Sequence, residues 1–338
     1  MKKRKLKVKN LIILIVILCA IIASVILLIT NLFKNSDNNV DTQGDSSILL
    51  KEEYFGNKAI HSDIFKNFDL RKMYDANYFS YSDTKELPFD IYSQNYMLVD
   101  ISNRNVLYSC GIEDRCFPAS LTKLLTLDTL LNVFGDTLDD VSSFTSYQKS
   151  ILIEDNASLS YIEPNKEYTL RNLCYALILP SGADAAIAIE NYFNYKGLDL
   201  IDEMNKQAVD LELTSTHVAN SIGLDNVDHY MCVDDVFKIV LDILKYSEGK
   251  KVLTTLRYYI SDDFYVDSTL SSLSTIESVE ILGGKTGFTG WAKENIAVYF
   301  CKDDNYYLLI LTGADGNPYN GEFYHIQDVR KIIEYLFE

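Results

Sequence analysis

Apolar and polar residues divide the chain into zones of different character. An unbroken apolar run covers residues 11–33, LIILIVILCAIIASVILLITNLF, and a polar, turn-rich stretch, KNSDNNVDTQGDSS, covers residues 34–47. From about residue 89 onward, apolar residues recur at the spacings typical of strands and helices. We therefore predict a basic segment 1–10, a transmembrane helix 11–33, a linker and N-terminal extension 34–88 without a recognisable pattern, and a folded domain 89–338.

The folded domain begins and ends with strand patterns, and helical patterns lie between them. Residues 96–109 predict two strands with a short turn, and Pro118 opens a helix that continues to Phe134. A second helix covers residues 170–179, with Thr169 as its N-cap, and helix restarts after Ser181. Near the C-terminus, residues 279–285, 295–301 and 306–313 predict three strands, followed by an amphipathic helix. KDDN, residues 302–305, predicts a hairpin turn between the last two of these strands. Strands at both ends indicate one sheet with a helical insert, an α+β fold.

The apolar run 11–33 has the length and flanking charges of a membrane anchor. As a helix, 23 residues reach about 34 Å, enough to cross a bilayer core. Six basic residues precede the run and one, Lys34, follows it closely, and this excess places the N-terminus in the cytoplasm and the rest outside the cell membrane. A cleaved signal peptide is the alternative; the length of the run and the absence of an A-x-A-like site argue for a single-pass anchor.

Net charge excludes one class of partner. Residues 34–338 carry 25 basic and 48 acidic residues, a net charge of −23. A body this acidic is not expected to bind nucleic acid.

One serine and one lysine lie three residues apart in an otherwise apolar stretch, CFPASLTKLLTL. Residues i and i+3 of a helix share a face, so Ser120 and Lys123 are expected within hydrogen-bond reach. A lysine removes a serine proton only if burial or a nearby cation lowers its pKa, and the apolar surroundings provide burial. Ser120 is therefore a candidate nucleophile and Lys123 its candidate base.

Two further stretches carry candidate chemistry. GGKTGFTG contains Lys285, a second cation, and glycines that include Gly287 and allow a substrate to approach the backbone. With the hydroxyls of Thr286 and Thr289, Lys285 is a candidate binder of a substrate carboxylate. LPSGADAA places Ser181 at a break between two helices.

The order S-x-x-K, S-x-x, K-T-G in an exported chain resembles the bacterial penicillin-binding D-alanyl-D-alanine carboxypeptidases. The resemblance covers residues 89–338 and includes VLYSCGIEDRCFPASLTKLLT, TSTHVANSIGLDNVDHYM and GGKTGFTGWAKENIAV. It implies the serine β-lactamase-like fold, an antiparallel sheet flanked by helices beside a helical subdomain. It implies no metal and no cofactor.

The resemblance also implies a reaction, the removal of the terminal D-alanine from peptidoglycan stem peptides ending in D-Ala-D-Ala. Ser120 would be acylated, Lys123 would be its base, and Ser181 would relay a proton to the departing D-alanine. The backbone N–H groups of Ser120 and Phe288 would form the oxyanion hole. β-Lactam antibiotics would be covalent inhibitors. The residues assigned to substrate binding are Lys285, Thr286, Gly287, Phe288 and Thr289.

Two alternatives remain open: one follows from a departure from the family pattern, and the other from the motifs S-x-x-K and K-T-G, which β-lactamases share. The second motif of the family is usually S-x-N, but its third position here is Ala183. A pseudoenzyme that binds cell wall or senses penicillin is therefore one alternative. A β-lactamase is the other, although ELTSTHVANSIGL lacks the E-x-x-L-N context that its rapid deacylation requires.

Cysteines and histidines indicate no metal site. The four histidines do not show the spacing of a zinc D,D-peptidase. Cys110 and Cys116 are close enough in sequence to bridge the loop before Ser120; scattered free thiols are the alternative.

Overall fold

The computed structural model describes residues 74–337. Within them the chain forms nine strands and eight α-helices, with most of the helices between the first two strands and the last five. The strands are β1 (Asn95–Asp100), β2 (Asn105–Cys110), β3 (Val141–Ser142), β4 (Tyr168–Thr169), β5 (Arg257–Ser261), β6 (Phe264–Asp267), β7 (Glu280–Thr289), β8 (Lys293–Lys302) and β9 (Asn305–Ala314). The helices are α1 (Thr122–Phe134), α2 (Ser146–Glu154), α3 (Leu170–Ile178), α4 (Ala183–Tyr195), α5 (Leu200–Asp210), α6 (Val233–Lys245), α7 (Ser247–Leu253) and α8 (Tyr324–Phe337).

The central sheet has five antiparallel strands in the order β2-β1-β9-β8-β7. The early hairpin β1–β2 is thus joined to the late strands through β9, where Asn95 pairs with Thr312. This arrangement confirms the prediction of one sheet built from both ends of the domain with a helical insert. Two two-stranded ribbons, β3–β4 and β5–β6, lie outside the sheet.

Both faces of the sheet are covered, because apolar residues occupy alternate positions along its strands. On β1, Met97 and Val99 belong to the larger core, which also contains buried residues of α1 and α6. Tyr96 and Leu98 point the other way and pack in a smaller core with α8. The sheet therefore separates the helical insert from the C-terminal helix.

Helix α1 lies in the middle of the larger core, as its apolar sequence predicts. All residues from Thr122 to Leu131 are buried, and the helix ends at Gly135 as expected. Its start differs from the prediction, since Ala119–Leu121 form one 3-10 turn before the α-helix begins at Thr122. Ser120 therefore lies in this turn and not in the α-helix proper.

The described part of the N-terminal extension packs against the folded domain. The ring of Phe79 contacts that of Phe237 on α6 edge-to-face, with 5.1 Å between centroids. Ser80 and Lys85 form isolated bridges to the outer strand β2, which covers part of that open edge. Residues 74–337 include no helix long and apolar enough to cross a membrane. The transmembrane helix predicted at residues 11–33 lies outside the described residues.

Candidate active site

Ser120 and Lys123 are brought together at the start of α1. Ser120 Oγ and Lys123 Nζ are 2.9 Å apart, and the lysine side chain is only 2% exposed. Lys123 Nζ also donates to the carbonyl oxygen of Ile222 at 2.7 Å. Burial lowers the Lys123 pKa to about 7, and the nearby carboxylate of Asp184 opposes that shift. A neutral amine that donates to Ile222 keeps a lone pair for the serine proton.

The turn that carries Ser120 contains a residue in a strained conformation and is held in place by the side chains of Thr122 and His229. Ala119 adopts a left-handed φ of 47°, which is uncommon for a residue with a side chain. The Thr122 hydroxyl donates to the Ala119 carbonyl at 2.7 Å, and His229 Nε2 lies 2.7 Å from the same hydroxyl. The backbone N–H of Ala219 donates to His229 Nδ1, so the ring proton is on Nε2. Burial, and to a lesser extent the charge of His217, lowers the His229 pKa to about 4, which keeps the ring neutral.

A loop at residues 220–224 closes over the same turn. The side-chain oxygen of Asn220 accepts the backbone N–H groups of Ile222, Gly223 and Leu224 at 3.3, 2.7 and 3.0 Å. Gly223 has a φ of 85°, and a Cβ there would lie 1.9 Å from the Ala119 carbonyl oxygen. Only glycine allows the loop this close, and the approach brings the Ile222 carbonyl to Lys123.

Strand β7 passes directly beside the Ser120 turn. A Cβ on Gly287 would lie 2.9 Å from the Ser120 nitrogen and 3.0 Å from the Pro118 carbonyl oxygen. The K-T-G strand therefore touches the candidate nucleophile, and only because position 287 has no side chain. On the neighbouring strand β8, the Asn295 amide donates to the Phe117 carbonyl at 2.9 Å and fixes the turn from the other side.

Lys285 is fully buried on β7, and its Nζ donates to the carbonyl oxygen of Thr286 at 2.6 Å. Its pKa is lowered well below the usual value, first by burial and then by the positive charge of Lys123. The two amines thus disfavour each other's protonated form. An anion bound between them would stabilise the charge on Lys285.

The two threonines assigned to substrate binding have different partners. The Thr286 hydroxyl donates to the Thr269 hydroxyl at 2.8 Å, on the exposed side of the site. The Thr289 hydroxyl donates to the Asp225 carboxylate and accepts the backbone N–H of Ala292. In this structure Thr289 therefore connects the end of β7 to the loop after residue 224. Its hydroxyl proton is donated to Asp225 and is not available to a substrate.

Ser181 lies in the break between α3 and α4, as the sequence predicts. Its φ is 65°, the side chain is 4% exposed, and its buried Oγ makes no hydrogen bond within the described chain. The neighbouring Ala183 is buried and brings no polar atom to the site. Asp184 is also buried, and its Oδ1 accepts the backbone N–H and the hydroxyl of Ser160 at 2.8 Å. Asp184 thus influences Lys123 by its charge and forms its hydrogen bonds elsewhere.

Several residues that shape the site were not assigned a role from the sequence. Asn220, Ile222 and His229 belong to the stretch TSTHVANSIGLDNVDHYM, which carried the family resemblance without individual functions. Asn295 belongs to GGKTGFTGWAKENIAV, again without an individual function, and Thr269 lies outside every quoted stretch. The five cysteines of the described chain are all free thiols, so Cys110 and Cys116 are not bridged in this structure.

A family model described as D-alanyl-D-alanine carboxypeptidase matches residues 82–315. The chain is 26% identical over 239 residues to the D-alanyl-D-alanine carboxypeptidase DacF of Bacillus subtilis, covering 68% of this chain and 59% of that protein. It is 24% identical over 241 residues to DacD of Escherichia coli, covering 68% and 60%. The chain thus spans about three fifths of the length of these relatives.

The fold also has solved counterparts. The crystal structure of the Streptomyces K15 DD-transpeptidase superposes with a TM-score of 0.66 at 23% sequence identity. The match covers 74% of this chain and 98% of the K15 chain. The antiparallel sheet with its helical insert is therefore the fold of this group of proteins.

Proposed function

The chain belongs to the D-alanyl-D-alanine carboxypeptidase family, a family of serine peptidases, and on that premise we propose that it removes the terminal D-alanine from peptidoglycan stem peptides. The proposal rests on one contact: the amine of the buried Lys123 lies 2.9 Å from the hydroxyl oxygen of Ser120. The pKa of this lysine is lowered to about 7. A hydroxyl paired with a neutral amine is an activated nucleophile, which acyl transfer requires.

Acylation would start when Ser120 Oγ attacks the carbonyl carbon of the penultimate D-alanine and its proton passes to Lys123 Nζ. The carbonyl oxygen becomes an oxyanion, which the backbone N–H groups of Ser120 and Phe288 would stabilise. The close approach of β7 to the Ser120 turn at Gly287 supports this assignment, because it puts both backbone segments at one place.

Collapse of the oxyanion would break the peptide bond. The departing D-alanine amine needs a proton, and Lys123 would return one through the Ser181 hydroxyl. The free, buried Oγ of Ser181 supports such a relay, since its hydrogen bonds are not committed to other protein groups in the described chain. Water would then attack the Ser120 ester, with Lys123 again accepting the proton, and release the shortened peptide.

The substrate carboxylate would lie against Lys285 and Thr286. A carboxylate there would stabilise the ammonium form of Lys285 and compensate the burial that disfavours it. The charged Lys285 would in turn disfavour a proton on Lys123. Binding of substrate would thereby favour the neutral form of Lys123, which is the form that accepts the serine proton.

β-Lactams would acylate Ser120 and stay attached. Their carbonyl and carboxylate resemble the D-Ala-D-Ala terminus, so the same residues would process both through acylation. The leaving amine of a β-lactam stays tethered in the site. The chain also lacks a glutamate in the E-x-x-L-N setting that would activate water against the ester.

The proposed location is the outer side of the cell membrane. The apolar run 11–33, with six basic residues before it, would hold the enzyme as a single-pass anchor with its N-terminus in the cytoplasm. Residues up to 73 would then connect the anchor to the domain.

The decisive experiment measures free D-alanine released by the full-length protein, in detergent, from a pentapeptide ending in D-Ala-D-Ala. Wild-type protein should release it and Ser120→Ala should not. Intact mass spectrometry after brief exposure to benzylpenicillin should show one added drug mass that is missing in Ser120→Ala. Rapid hydrolysis of the drug without an adduct would support a β-lactamase instead. Neither release nor adduct would indicate a pseudoenzyme.

A further inference from the structure

Thr269 connects two of the three motifs although it belongs to none of them. Its backbone N–H donates to the carbonyl oxygen of Leu179 at 3.0 Å, two residues before Ser181. Its hydroxyl accepts the hydrogen bond of Thr286 at 2.8 Å. One residue thus contacts both the segment that leads into the Ser181 turn and the K-T-G strand.

The Thr269 hydroxyl has a proton that no group in the described chain accepts. The side chain is exposed, whereas its neighbours Ser268 and Leu270 are buried. The contacts of the flanking residues and the hydrogen bond to Leu179 hold the backbone in place. Thr269 therefore presents an unused donor from a fixed position at the open side of the site.

Two hydroxyls lie side by side here, and the Lys285 amine contacts the backbone of Thr286, the residue that carries one of them. Thr286 and Thr269 present oxygens 2.8 Å apart, and Lys285 Nζ lies 2.6 Å from the Thr286 carbonyl oxygen. A carboxylate has two oxygens, each able to accept more than one hydrogen bond, and is stabilised by a nearby cation. The pair of hydroxyls beside a lysine matches that requirement better than Thr286 alone.

We propose that Thr269 is a further substrate-binding residue, whose hydroxyl donates to one carboxylate oxygen while Thr286 donates to the other. The proposal rests on the function proposed above, because it takes the substrate to end in a free carboxylate. In the unliganded protein the Thr286 proton points to Thr269; on binding, that proton turns to the substrate.

The test compares two β-lactam probes on full-length protein: benzylpenicillin, which carries a carboxylate, and its methyl ester, which does not. Thr269→Val keeps the shape of the side chain and removes the hydroxyl, whereas Thr269→Ser keeps the hydroxyl. Thr269→Val should slow acylation by benzylpenicillin about tenfold, the effect of one hydrogen bond to a charged group. Thr269→Ser should stay within about twofold of wild type. With the ester, all three proteins should react at the same rate.

Thr275→Val is the matched control, since it makes the same change at the far end of the same segment. The Thr275 hydroxyl contacts Arg330 and Ser272, away from the motifs, so the control should react like wild type with both probes. Equal slowing of both probes by Thr269→Val would show a structural role and overturn the assignment. An unchanged rate with benzylpenicillin would also overturn it. Wild-type protein that forms no Ser120 adduct would overturn the proposed function, and this assignment with it.

Discussion

The Nζ atom of Lys123 lies 2.9 Å from the hydroxyl oxygen of Ser120 and 2.7 Å from the carbonyl oxygen of Ile222. This pairing fixes the protonation state in which the site works. A charged amine has no lone pair for the serine proton, whereas a neutral one does. The burial that makes the lysine costly to charge is thus the same feature that makes it a base.

The first prediction concerns the pH dependence of acylation. With a Lys123 pKa of about 7, the acylation rate should be nearly constant above neutral pH. It should fall about tenfold per pH unit below neutral pH, as the amine gains a proton. Stopped-flow measurement of benzylpenicillin acylation across this range tests it. A rate that continues to rise up to the usual pKa of a lysine would contradict it.

A second prediction concerns Gly287→Ala. The new Cβ would lie 2.9 Å from the Ser120 nitrogen, too close to backbone for a flexible adjustment, so β7 or the Ser120 turn must shift. Acylation should slow about a hundredfold, typical of displacing a reacting group by about 1 Å. Gly290→Ala is the control, because nothing lies within 4 Å of its added Cβ, and it should acylate at the wild-type rate. Equal rates for both variants would contradict the close approach.

Asn220→Ala should weaken both stability and activity. It leaves three loop N–H groups without their acceptor and costs about 1–3 kcal/mol in the free energy of unfolding. The Ile222 carbonyl should then lose its fixed position beside Lys123, and acylation should slow. Asn226→Ala removes an acceptor of one N–H, that of Asp228, and should cost less and leave acylation unchanged. Chemical unfolding and acylation rates are the two measurements.

Folding stability should depend on pH through His229. Its pKa falls from 6.5 to about 4 on folding, so the neutral ring favours the native state above pH 6.5. As the pH falls from 6.5 through 4, the unfolded chain gains a proton that the native state resists, and up to about 3 kcal/mol is lost. His229→Gln keeps a donor for Thr122 and does not titrate. The stability difference between wild type and variant should therefore change over this range; a constant difference would contradict the assignment.

Local sequence signals predicted those parts of the fold that depend on neighbouring residues. The turn between Lys302 and Asn305 is one example: Asp303 and Asp304 have φ values of 49° and 62°, as two-residue hairpins require. The N-cap at Thr169 is another, since its side chain accepts the Asn172 N–H at 3.1 Å. Helix α6 was not predicted, although one face of it is almost entirely apolar.

The rest of the site could not be read from the sequence because it depends on contacts between distant segments. The Ile222 carbonyl that orients Lys123 is a backbone atom 99 residues away, and any residue type would supply it. The Asn295 amide reaches Phe117 across 178 residues. Such contacts leave no local pattern in the sequence. Ser120 and Lys123 are recognisable because they are a hydroxyl and an amine three residues apart in an otherwise apolar stretch.

The position of β9 in the sheet has a consequence for the order of events during synthesis. β9 is the middle strand, but it is the last strand of the described chain to leave the ribosome. Strand β1 can pair with β9 only after Thr312, the partner of Asn95 and 217 residues later in the chain, has been synthesised. Until then the hairpin β1–β2 and the pair β7–β8 have open edges that cannot join. The sheet that carries the K-T-G strand can therefore be completed only after translation has passed β9, and we expect the nascent chain to lack a working site until then.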